Sequence, residues 1–175
     1  MKSEKKLQEK LIKSIEKSNK IFNESTKAQK RVMIAQDCID RLACKLLSAN
    51  TGSFITYEVG VVVTQERVNT IGCEVCAKGG LFASYIGRVN NFSDNCLGND
   101  ENNKAHKKLL EVFTLRQLAI IEYAFEGTQY IYSVNIPHDT QNKLEDFYIE
   151  NSGDDDQRLI KICENIIKNK GTFKI

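Results

Sequence analysis

The chain is expected to fold as a helix-rich α+β domain of about five helices around a small sheet, with a buried central helix near residues 73–90. Three observations predict this. Apolar residues recur at the helical period in several long segments. Short β-rich runs interrupt them between residues 53 and 64. One stretch, Gly79 to Gly87, carries no charge at all, which suits a helix buried on most sides. With 175 residues and 49 Leu, Ile, Val and Phe among them, the chain is long enough for one domain with a real core. No run of about 20 apolar residues is present to span a bilayer.

Ser3 to Asn23 reads as an amphipathic helix with Leu7, Leu11, Ile15 and Phe22 on one stripe and Ile12 and Ile21 at its edges. Glu9 to Lys13 and Glu16 to Lys20 are spaced to support it as i, i+4 pairs. Residues 1–24 are therefore a basic arm for docking or oligomerisation, and 25–175 a single α+β domain. A second helix starts near Ser25–Thr26 and runs to Leu47, with Val32, Ala35, Ile39, Leu42, Ala43 and Leu46 on its apolar face and a stop at Asn50-Thr51-Gly52. Residues 53–57 and 59–64 read as strands, paired as a hairpin.

The central helix places Val75, Phe82, Tyr85, Ile86 and Val89 on one face, while Gly79, Gly80 and Ala83 permit close approach of a neighbour. Residues 90–108, rich in Asn, Asp and Lys, read as a surface loop or a mobile excursion. A further helix begins at Thr114, whose side chain forms a capping box with Gln117, and ends at Gly127. Its core side is Leu115, Leu118, Ile121 and Phe125. Residues 128–136 alternate as a strand with Tyr130, Tyr132, Val134 and Ile136 on one side, closed by Pro137. The last helix covers Asp155 to Asn169, with acids at its N-terminus and Leu159, Ile162, Cys163, Ile166 and Ile167 buried.

Charge is unevenly distributed. Residues 1–31 hold ten Lys and Arg against four Glu, residues 32–175 hold 15 basic against 19 acidic groups, and 139–156 contain seven acids and one lysine. A basic arm and an acidic stretch suit nucleic-acid binding, self-association of unlike patches, or a plain solvated face. The pI of about 8.1 lies below that of a dedicated nucleic-acid binder, usually above about 9.

No chemical motif is complete. Gly72-Cys-Glu-Val-Cys-Ala77-Lys78-Gly79 imitates a phosphate loop, but Ala77 replaces its second glycine and Gly79 its hydroxyl residue, so the magnesium ligand is missing. Cys73 and Cys76 form one C-x-x-C without a second ligand pair for zinc. Their apolar surroundings favour inert packing thiols over a redox pair, so no metal and no cofactor is expected. Cys38, Cys44, Cys96 and Cys163 complete the set, too sparse for a disulfide scaffold. The segment 1–22 lacks a signal-peptide apolar core, so the expected location is the cytoplasm, with reduced thiols.

His106 and His138 stand in polar surroundings with no nucleophile motif nearby. Asp154–Asp156 lack the calcium-loop pattern. Phe54, Tyr57, Tyr130 and Tyr132 are cross-strand core pairs or, less readily, a base-stacking platform. Arg67, Arg88 and Arg116, beside core elements rather than in the lysine-rich arm, are the candidate ligand-binding cations.

Several stretches resemble an uncharacterised family of small bacteriophage proteins: residues 30–37 (KRVMIAQD), 73–77 (CEVCA), 113–122 (FTLRQLAIIE), Phe125-Glu-Gly127, and Arg158-Leu159 through residues 164–167 (ENII) to Gly171-Thr-Phe173. The resemblance covers about residues 30–175 and consists of helix cores and caps. It implies a viral protein acting in the host-cell cytoplasm, with host defence among its targets, but no activity or site. The expected function is therefore non-enzymatic binding, as a homo-oligomer without a membrane. The bound target is a phosphorylated signalling nucleotide or a host protein. The alternative is nucleic-acid binding through the basic arm.

Overall fold

A computed structural model describes residues 2–52, 54–56, 62–89, 92–94, 103–128, 131 and 133–175. Among them are eight helices and five short strands. The helices are α1 (Lys2–Glu24), α2 (Lys27–Ala43), α3 (Gln65–Thr70), α4 (Ala77–Ile86), α5 (Lys104–Leu109), α6 (Leu115–Glu126), α7 (His138–Glu150) and α8 (Asp155–Lys168). The strands are β1 (Leu47–Ala49), β2 (Ile55–Thr56), β3 (Val63–Thr64), β4 (Cys73–Val75) and β5 (Ser93–Asp94). The class is α+β and helix-rich as expected, but the helix count exceeds five because α3, α5 and α7 are additional.

Most starts and stops read from the sequence have their expected physical basis; the exception is α2, which ends at Ala43 instead of running to Leu47, because Leu47–Ala49 pairs with β4 as β1. Thr26 caps α2 and Thr114 caps α6, each in a reciprocal capping box with Gln29 or Gln117 three residues on. Asp154 caps α8 by accepting the Gln157 backbone N–H. Gly127 ends α6 at φ 71°, a left-handed conformation that glycine adopts without a Cβ penalty.

The core is built on α2, which packs against α8 and α4. Its buried face is Ile34, Ala35, Asp37, Cys38, Arg41 and Leu42, rotated from the expected one: Val32 and Ile39 are only half-buried and Ala43 is exposed. α8 contributes Leu159, Ile162, Cys163 and Ile166, all fully buried. At about 1.5–3 kcal/mol for each large aliphatic side chain, this face outweighs any single cap. α4 is buried along all ten of its residues.

Four further expectations are corrected. The described residues of the expected hairpin, 54–56 and 62–64, take separate partners. β2 runs antiparallel to β4, with Ile55 opposite Val75, and β3 runs antiparallel to β5. β1 lies parallel on the other side of β4 with Leu47 opposite Cys73, so Cys73–Val75 is the central strand rather than the first turn of a helix. The described part of 128–136 forms no strand, although Ile131 and Ile136 are buried, and Pro137 opens α7 instead of closing a strand. Within the expected loop 90–108, residues 104–109 form α5. Tyr57, Tyr130, Tyr132 and Cys96 lie outside the described residues.

The arm packs on the body of the domain mainly through its C-terminal half, with Gln8 nearer its start donating to the Cys44 carbonyl at 3.0 Å. Ile15 and Phe22 are buried, with Arg88 and Lys30 over the Phe22 ring at 5.3 and 5.5 Å. Towards its start, Leu7 remains 49% exposed.

Candidate functional site

The buried charges come first, because a charge removed from water must be matched. Asp37 and Arg41, one turn apart on α2, are both buried. The Arg41 guanidinium donates to Asp37 Oδ2 at 3.2 Å, to the Val68 carbonyl at 2.5 Å and to Asn69 Oδ1 at 2.6 Å. Asn69 in turn donates to the Gly87 carbonyl at 3.2 Å. Burial pushes the Asp37 carboxyl up, opposed by the attraction of Arg41 and Arg88. This network locks α2, α3 and the end of α4 together.

A second buried pair joins α4 to α6, where the Lys78 ammonium meets Glu122 with both side chains essentially inaccessible. Beside it, desolvation pushes the Cys76 thiol up to about 12, so it carries almost no thiolate at neutral pH. Cys38 and Cys163 lie buried between α2 and α8 with the Cys163 thiol raised by its hydrogen bond to Cys38 and by burial. No group of three metal-ligating side chains occurs among the described residues.

A third cluster staples the turn after β1. The backbone N–H groups of Ala49, Thr51 and Gly52 donate to Asp156, Asp155 and Glu126 at 2.5, 2.9 and 2.9 Å. Burial raises the Glu126 carboxyl, partly offset by the Gly52 N–H. The folded chain therefore binds this proton more tightly than the unfolded chain. The group's contribution to stability is greatest at low pH and falls as pH rises through the carboxylate range. Glu126→Gln keeps an acceptor for Gly52 and removes the charge. The variant is expected to be more stable than the wild type at neutral pH, with the gain vanishing below the carboxylate range. Urea unfolding at the two pH values checks this, and a variant destabilised at neutral pH contradicts it.

Arg158 is likewise internal. It donates to the Phe125 and Asn151 carbonyls at 2.7 and 3.1 Å, pairs with Asp155 at 2.9 Å and lies over the Tyr148 ring at 4.6 Å. These contacts tie α8 to α6 and α7.

The three arginines singled out from the sequence occupy different elements. Arg88, just after α4, is already engaged: it donates to Ser18 Oγ at 3.0 Å and pairs with Asp37 at 3.8 Å. Arg67 is half-buried in the last turn of α3, and Arg116 is exposed in the first turn of α6. α3 neighbours the end of α4, since Gln65 and Asn69 both donate to Gly87. His106, expected in polar surroundings, is buried on α5, while His138 is exposed at the start of α7. Phe54 packs on Phe82 at 5.6 Å in the core rather than forming an open stacking face.

Periodicity alone passed over Asp37, Arg41, Lys78 and Glu122. The available signals were an i, i+4 Asp–Arg pair on the apolar side of α2 and a single lysine at the head of an otherwise uncharged helix.

Open concave surface gathers around α1. A groove of about 350 Å³ runs between α1 and α2, lined by Leu7, Lys10, Leu11 and Ala43 among others. On the other flank a groove of about 430 Å³ lies between α1 and α3, bordered by Lys5, Ile12, Lys13 and Asn69. A third, of about 580 Å³, lies where the α1–α2 turn meets the end of α8, around Ile21, Met33 and Ile167. Lys5, Lys6, Lys10, Lys13, Lys17 and Lys20 are all exposed. The grooves combine apolar side chains with rims of both signs, Asp40 opposite Lys10 in the first and Glu9 and Glu16 beside Lys5 and Lys13 in the second, which suits macromolecular contact better than chemistry. Among the described residues no helix is long and apolar enough to cross a membrane. Comparison with known protein families, curated proteins and solved structures gives no match.

Proposed function

We propose that the protein acts by binding another macromolecule through the face of α1, and not by catalysis. The carrying observation is the division of labour among its charges. The interior ions Asp37, Arg41, Lys78, Glu122 and Arg158 are each paired inside the fold, Lys78 with Glu122 between α4 and α6, and Asp37 with Arg41 and Arg158 with Asp155 each within one helix. Six lysines of α1, Lys5 to Lys20, by contrast stand in water beside half-exposed leucine and open grooves. The resemblance to small bacteriophage proteins favours a host-cell setting and a factor of host defence as the target. Capture of a phosphorylated nucleotide by Arg67, Arg88 and Arg116 has weaker support, because Arg88 is already engaged by Asp37 and Ser18.

The lysine rows also favour nucleic acid as a second reading, and salt separates the two. Binding to phosphates falls steeply with ionic strength through counterion release, whereas an apolar contact does not. The test compares capture of host proteins by the full chain and by Leu7→Asp, after confirming equal thermal stability. Leu7 is half-exposed, so the fold is expected to survive while capture is lost. Equal capture by both proteins refutes the reading. A thermal shift with a nucleotide, or salt-steep binding to DNA or RNA without protein capture, replaces it with the corresponding alternative.

A further inference from the structure

The outward face of α7 is the counterpart of α1 within the same chain. α7 carries Asp139, Glu145, Asp146 and Glu150 against Lys143, a balance of −3, and all four acids are exposed. α1 carries seven lysines against four glutamates, a balance of +3. In the middle of the α7 acids stands Ile149, 60% exposed and one turn beyond Glu145. An exposed isoleucine among carboxylates matches a groove lined by Leu7, Leu11 and Ala43, with Lys10 and Asp40 on its rim and the exposed Lys6, Lys13 and Lys17 of α1 alongside it. The opposite side of α7 is already used: Leu144 is fully buried, Phe147 packs on Phe173 at 5.6 Å, and Tyr148 stacks on Arg158.

We propose that the groove between α1 and α2 receives the α7 face of a second copy of this chain, with Ile149 in the groove and the α7 acids against the α1 lysines. The inference rests on α1 being a binding surface and holds that, where no host partner is bound, a second copy of the chain occupies it. Because every copy carries both halves, two-fold closure makes the contact twice, and the matched charges set its register and its salt sensitivity.

The test is sedimentation of the full chain over a concentration series at low and high salt. The expected wild type is a reversible dimer that weakens as salt rises. Ile149→Asp is expected to raise the dissociation constant about tenfold or more. Two charge reversals on exposed positions sharpen this, one converting Lys6, Lys10 and Lys13 to Glu and the other converting Glu145, Asp146 and Glu150 to Lys. Each variant alone is expected to be monomeric. Mixed in equal amounts they are expected to form a heterodimer with one wild-type and one reversed contact. Circular dichroism of each variant establishes that it is folded. A wild type that is monomeric throughout, dimers indifferent to both reversals, or a mixture that fails to associate each overturns the inference. If the wild type is monomeric yet Leu7→Asp loses a host partner, this inference fails and the reading of α1 as a binding face stands. If the wild type is monomeric and Leu7→Asp captures as before, both fail.

Discussion

Lys78→Met is expected to destabilise the full chain by about 3–5 kcal/mol, because it strands Glu122 as a buried charge between α4 and α6. Glu122→Leu is expected to cost a similar amount by stranding Lys78. The double variant replaces both charges with apolar groups of comparable size and removes the desolvation penalty together with the attraction. Its expected stability lies close to the wild type, since buried ion pairs are often no better than well-packed apolar replacements. Urea unfolding of the four proteins forms a double-mutant cycle, and because each single variant strands a buried charge while the double variant strands none, the expected coupling lies well above the about 0.5 kcal/mol within which independent sites add. Single variants that cost under about 1 kcal/mol and add independently would mean that the pair is not buried as described.

Gly79→Ala carries the second large effect. Alanine is the better helix former by about 1 kcal/mol, so helix propensity alone predicts stabilisation. A Cβ at this position, however, would lie 1.3 Å from the Phe54 carbonyl oxygen and 3.3 Å from Val75 Cβ. The obstructing atom is backbone, on the segment leading into β2, and it cannot rotate away. Overpacking of this kind costs about 1–3 kcal/mol and more where the backbone must shift, so the clash wins. The expected variant has a markedly lower Tm and a disturbed seam between α4 and β2. Gly153→Ala is the control: a Cβ there meets nothing within 4 Å, and the expected change lies within about 0.5 kcal/mol. Equal melting of the two variants would refute the close approach at Gly79.

What was legible in the sequence lies mostly in the helices. Thr26, Thr114, Gly127 and Asp154 mark boundaries through contacts with residues three or four positions away, so local sequence suffices to place them. The apolar stripe of α8 and the uncharged run of α4 are equally local, because burial follows from composition at a fixed period. The acidic stretch and the basic arm are also visible as composition, which is why α1 could be singled out before its docking was known.

Tertiary structure decided the rest. Residues 128–136 alternate as a strand should, but a strand needs a partner edge, and the described residues of this stretch belong to neither sheet, the Val134 N–H closing a turn onto the Ile131 carbonyl at 3.4 Å instead. α7 has few apolar residues. It is helical because Leu144 and Phe147 find α6 and Phe173 to pack on, contacts that no local pattern contains. The same holds for the candidate sites. Arg88 has the composition of a free cation and the structure of an anchor, because Asp37 arrives from another helix, 51 positions earlier in the chain. Local spacing determines where helices begin, end and turn their apolar sides. Which charges are neutralised inside, and which are left facing water to meet a partner, depends on distant segments folding together.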